Sequence, residues 1–99
     1  MRVEFEDHEL RRLYVEPDYR MSGIGVELTR AFRKVVGILE AAKDERDLRA
    51  LRFLHFEKLE ADRSGQYSLR LHKQWRLIIT LRTVERDKLI VFIEVVDYH

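Results

Sequence analysis

Gln66-Tyr67-Ser68-Leu69-Arg70-Leu71-His72-Lys73-Gln74-Trp75-Arg76-Leu77-Ile78-Ile79-Thr80-Leu81-Arg82 is the stretch that decides the fold. Tyr67, Leu69 and Leu71 alternate with Ser68, Arg70 and His72, the period of a strand buried on one side. Lys73-Gln74 is a tight connection. Beyond it Trp75, Leu77, Ile79 and Leu81 share one face, and Arg76, Ile78, Thr80 and Arg82 the other. The stretch reads as a hairpin, and it is basic. Residues 63–82 contain Arg63, Arg70, Lys73, Arg76 and Arg82, with His72 among them, and no acid.

On the C-terminal side, Val84-Glu85-Arg86-Asp87 is a turn, and residues 88–96 are almost continuously apolar. Such a run predicts an interior strand covered on both faces. On the N-terminal side, Glu60-Ala61-Asp62-Arg63-Ser64-Gly65 is a charged loop, and Leu54 and Phe56 suggest an extended segment. That segment places His55 and Glu57 on one face, with Lys58 beside them. Upstream the period changes to that of a helix. Leu28, Phe32, Val35, Val36 and Leu39 form one apolar stripe over residues 26–43, with Arg30, Arg33, Lys34 and Glu40 on the other side. Asp44-Glu45-Arg46-Asp47 opens a further short helix ending near Ala50. Asp7 caps another that carries Leu10, Leu13 and Tyr14 and stops at Glu16-Pro17-Asp18. Val3 and Phe5 mark a first strand. The expectation is one α+β domain over residues 1–99, a small antiparallel sheet with N-terminal helices packed on one face.

Composition narrows the class. The 99 residues are 45% hydrophobic and 37% charged, enough for one core inside a long solvated perimeter. Cysteine is absent, so neither disulfides nor thiolate chemistry operate. The first seven residues carry Glu4, Glu6 and Asp7 where a signal peptide needs an apolar run. Leu89-Ile90-Val91-Phe92-Ile93 is too short to cross a bilayer. The expectation is a cytoplasmic chain with no membrane role. The net charge of +1 hides an asymmetry: residues 1–17 hold five acids against three arginines, opposite in sign to the hairpin. Local charge selects partners, so the basic hairpin is either a solvated face or a surface for a polyanion.

Three features could carry chemistry. Asp97-Tyr98-His99 follows the apolar strand, as a solvated strand end or as a cluster of titratable groups. Arg76 can fork two hydrogen bonds onto a phosphate, or pair with an acid such as Glu57 or Glu94. His55, Glu57 and Lys58 lie just before the hairpin. Together they supply what RNA cleavage needs. RNA brings its own nucleophile, the 2′-hydroxyl, so a protein need only move two protons and hold the charge developing on phosphorus. No metal site with the usual spacings is present, Asp97 and His99 alone being too few, and glycine-rich phosphate loops are absent. No cofactor is expected.

Leu54-His55-Phe56-Glu57-Lys58-Leu59, residues 62–70, Gln74-Trp75-Arg76-Leu77 and Asp97-Tyr98-His99, taken in order, resemble the HigB-like branch of the RelE/ParE toxin superfamily. The resemblance covers about half of the chain directly. It implies a RelE-like fold and a toxin that cleaves messenger RNA in the ribosomal A site. It also implies neutralisation by a small helix-turn-helix antitoxin of the HigA type, the complex repressing its own operon. Arg76 matches the family arginine that stabilises the transition-state phosphate, and Tyr98 and His99 match the terminal pair of proton transfer and positioning. Arg63, Arg70 and Lys73 fall where basic residues grip RNA backbone, and Arg82 extends that set. Two departures stand out. A gapless match puts Glu57 and Glu60 where many relatives carry His and Lys, whereas a two-residue shift restores His55 and Lys58. His72-Lys73 replaces the usual Asn-Asp of the hairpin turn. Other readings from the same superfamily are a ParE-like toxin of DNA gyrase, without RNA cleavage, and a catalytically degenerate antitoxin-binding module.

Overall fold

Most secondary elements follow from a local sequence signal. The computed structural model describes residues 1–97, Asp87 by its backbone only. A first strand β1 (Arg2–Phe5) leads to helix α1 (His8–Val15), whose N-terminal amides of Glu9 and Leu10 donate to the Asp7 carboxylate. Helix α2 (Val26–Ala41) buries Leu28, Phe32, Val35, Val36 and Leu39 as one stripe. Arg33, on its flank, donates to the carbonyl oxygens of Leu13, Glu16 and Pro17, tying α2 to the end of α1 and the turn after it. Helix α3 (Glu45–Ala50) is capped by Asp44, which accepts from the Arg46 amide and side chain. Those hydrogen bonds hold the Asp44 carboxyl down at about 2.

Strands β2 (Glu57–Lys58), β3 (Gln66–His72), β4 (Trp75–Val84) and β5 (Asp87–Asp97) complete a five-stranded sheet in the order β1-β5-β4-β3-β2. The α+β architecture is the one read from the sequence. The sheet, however, is mixed: β1 runs parallel to β5, with Val3 opposite Ile90 and Phe5 opposite Phe92. Alternation in Val3 and Phe5 reveals which side is buried but not which distant strand is the partner. A second difference lies before β2. Residues Arg52–Leu54 form a 3-10 turn, and His55 ends it in the left-handed conformation, φ 46°, so this segment is not extended.

One face of the sheet carries the core. Leu69, Leu77, Ile79, Ile90 and Phe92 are fully buried against Leu10, Leu13, Phe32, Val36, Leu39 and Leu48 of the helices. A β-bulge interrupts the β4–β5 ladder, where Ile78 faces Glu94 but Ile79 faces Phe92. Ile93 is the extra residue. It reverses the alternation of the last part of β5, so Glu94 and Val96 lie on the face away from the helices, beside Ile78 and Arg76. Among the described residues, no helix is long and apolar enough to cross a membrane.

Candidate active site

The helix-free face is built row by row from strand register. Glu57 of β2, Ser68 of β3, Ile78 of β4 and Glu94 of β5 lie opposite one another in a single row. The neighbouring row consists of Arg70, Arg76 and Val96. Ser68 and Ile78 are buried and, with Val91 in the row beyond, form the floor; the charged side chains stand above it.

Arg70 and Arg76 are directly opposite, with backbones about 5 Å apart. Like charges in that arrangement repel and destabilise the pair. Among the described residues neither guanidinium has a carboxylate partner; Arg76 Nη1 donates only to the His55 carbonyl oxygen, at 3.4 Å. Among the described residues the two cations thus share one row of the sheet without a carboxylate, and guanidinium groups of this kind can donate to a phosphate. The left-handed turn at His55 is what brings its carbonyl to Arg76 across the sheet edge.

The other predicted site residues divide. Glu57 shares the face of Arg76 and is exposed, whereas Lys58, paired with Tyr67, points by alternation to the opposite side. Glu94 takes Arg63, not Arg76, as its partner: Arg63 Nη1 lies 2.5 Å from Glu94 Oε1 and also donates to Gln66 Oε1. Lys73 sits at the tip of the β3–β4 turn with φ 53°. Arg82 does not join the group. Six residues farther along β4, about 20 Å away, it pairs with Glu6 at 3.3 Å. Tyr98 and His99 lie outside the described residues; Asp97 pairs with Trp75, the neighbour of Arg76. Among the described residues, no three His, Asp or Glu side chains come together as a metal site. The sequence offers Glu94 as an acid partner for Arg76, but residues 88–96 give no sign of the bulge that turns it outward, where it pairs with Arg63.

The sequence model of HigB-like toxins, described as RelE-like toxins of type II toxin–antitoxin system HigB, matches residues 3–99. The chain belongs to this family. Toxin HigB-1 of Vibrio cholerae serotype O1 is 40% identical over 78 residues, 79% of this chain and 81% of that toxin. A YoeB/ParE toxin structure from Agrobacterium tumefaciens covers the whole of both chains with a TM-score of 0.56 at 11% identity, a likeness of fold. Membership in the HigB-like family makes the chain a type II toxin with an antitoxin as partner. It also gives the uncovered, cation-bearing face of the sheet a biological setting, since among the described residues the helices cover the other face.

Proposed function

We propose that this HigB-like toxin is a ribosome-dependent endoribonuclease that cuts messenger RNA by internal attack of the 2′-hydroxyl. The observation that carries the reading is the Arg70–Arg76 pair on the helix-free face, without a carboxylate on either guanidinium among the described residues. In the proposed step the 2′-oxygen bonds to phosphorus and the bond from phosphorus to the 5′-oxygen breaks. One group accepts the 2′ proton and another returns a proton to the departing oxygen. Glu57 or His99 serves as acceptor, and Tyr98 or His99 as donor. Arg76, with Arg70 opposite, holds the charge that builds on the phosphoryl oxygens. The route moves protons only and calls for no metal or organic cofactor.

His55 supports this arrangement through its carbonyl contact to Arg76, and Lys58 stands beside Glu57 on β2. Arg63 and Lys73 flank the Arg70–Arg76 row as backbone contacts. The antitoxin in this reading is a HigA-like helix-turn-helix protein, and the site of action is the translating ribosome in the cytoplasm.

Inducible expression without antitoxin, followed by primer extension on a translated message, tests the reading. Growth arrest with discrete cut sites is the expected result. Growth arrest with blocked DNA supercoiling and intact message would identify a gyrase poison instead, and unimpaired growth a degenerate binding module.

A further inference from the structure

We propose a nucleotide-stacking cleft beside the Arg70–Arg76 pair, at the free edge of β3, which takes an unpaired base of single-stranded RNA on Phe53. The inference deepens the RNA-cleavage reading above and rests on it. Strand β2 pairs with β3 only at Tyr67 and Ser68, so among the described residues the remainder of β3, from Leu69 onward, has no strand on that side. The 3-10 turn Arg52–Leu54 and helix α2 stand there instead, leaving a cleft of about 270 Å³. Its lining includes Lys34, Phe53, Arg70, His72 and Lys73 and contains no acidic side chain.

Phe53 is the unusual member. The 3-10 turn buries Leu54 completely and turns Phe53 outward, 50% exposed. The other large hydrophobic side chains exposed to this degree, Val15, Val26 and Val84, are aliphatic, so Phe53 alone of the four offers a flat ring for stacking. Lys34 Nζ lies 5.2 Å from the ring centroid, so a cation already stands at its side. An aromatic platform edged by cations matches a nucleotide: the base stacks on the ring and its phosphate meets Lys34 or Lys73. The cleft is smaller than pockets that enclose a drug-sized ligand, roughly 300–1,000 Å³, which fits one nucleotide unit of a continuing strand. His72 lines the cleft and its Nε2 also lies 3.1 Å from Glu27, which is not part of the lining.

Arg70 joins the cleft to the proposed reaction centre. It lines the cleft and also lies opposite Arg76. A strand with one phosphate between the two arginines would pass over the β3 edge, with an adjacent base within reach of Phe53. Stacking at that point would fix the register of the substrate relative to Arg76.

The test is a fluorescence titration of the full chain with a 2′-O-methyl single-stranded RNA oligonucleotide, which lacks a free 2′-hydroxyl, at low salt. Phe53→Ala is expected to weaken binding roughly five- to a hundred-fold, and Phe53→Tyr to retain it. Lys34→Ala is expected to lower the slope of log affinity against log salt by about 0.7. Because Phe53 is half exposed, thermal melting should show each variant folded. Equal binding by wild type and Phe53→Ala overturns the cleft, as does an equal loss in Phe53→Ala and Phe53→Tyr. A Phe53→Ala variant that binds RNA normally but loses antitoxin affinity makes the surface a protein-docking site and also overturns it. Cleavage in a translating extract is scored separately. Loss of the cleft with cleavage intact leaves the proposed function standing, whereas absence of cleavage by wild type defeats that function whatever Phe53 does.

Discussion

The two faces of the sheet are made by the same strands and the same alternation, yet they have opposite characters. Toward the helices, Leu69, Leu77, Ile79, Ile90 and Phe92 sit in a continuous apolar cluster. Toward the other side, a narrow buried floor of Ser68, Ile78 and Val91 supports Glu57, Arg63, Arg70, Arg76 and Glu94. Burial of apolar area supplies the stability of the first face. The second face carries two arginines side by side, neither paired with a carboxylate among the described residues, an arrangement that costs stability and that the proposed function uses to hold a phosphate. Neighbouring residues in the chain, Arg76 and Leu77, thus serve different ends. The comparison teaches that one alternating pattern can give a sheet a packed face and an open, charged face, and the proposed function is placed on the open one.

Substitution at Leu77 gives the largest stability effect expected from this contrast. Leu77→Ala empties a fully buried position and should cost about 2–5 kcal/mol, a fall in Tm of roughly 10 °C or more by calorimetry. Ile78→Ala sharpens the comparison, because Ile78 is equally buried but on the opposite face. A loss of similar size is expected by urea denaturation; a negligible loss would show that the second face has no packed floor. A smaller effect is expected at Glu94. With Arg63 35% and Glu94 41% exposed, solvent screens the pair, and Glu94→Gln should change stability by less than about 1 kcal/mol. It also removes a negative charge from the arginine-bearing face, so RNA affinity should rise; weaker RNA binding would make Glu94 part of the binding machinery.

The smallest effect is confined to alkaline pH and to the helical side. Tyr14 donates to Glu40 across α1 and α2, and this hydrogen bond pushes the phenol up to about 12. A group whose pKa is raised on folding stabilises fully below its unfolded value, near 10, and loses that contribution as pH climbs through the folded value. Stability measured between pH 9 and 12 should therefore fall more steeply in wild type than in Tyr14→Phe. Parallel curves would show that the contact contributes nothing.

Local signals made most of this legible in the sequence. Period-two alternation located β3 and β4, the apolar run located β5, and Asp7 and Asp44 announced their helices, because each signal lies within a few residues of its effect. What the sequence concealed was non-local or depended on a single backbone angle. Nothing in Val3 or Phe5 names β5 as a parallel partner. The bulge at Ile93 leaves no mark in an almost continuously apolar run, yet it decides that Glu94 faces the arginines. The 3-10 turn at Arg52–Leu54 mimics the start of a strand, and it is this turn that exposes Phe53 and directs the His55 carbonyl to Arg76. Arg82 shares a strand face with Arg76, but alternation alone ignores the length of β4 that separates them.

The central claim is that Arg76 on the helix-free face stabilises the phosphate during cleavage. Its most direct test is the rate of message cleavage in a translating extract, wild type against Arg76→Ala, with melting curves of both proteins. The account predicts a rate at least about a hundred-fold lower with Tm nearly unchanged. Equal cleavage by the two proteins would contradict it.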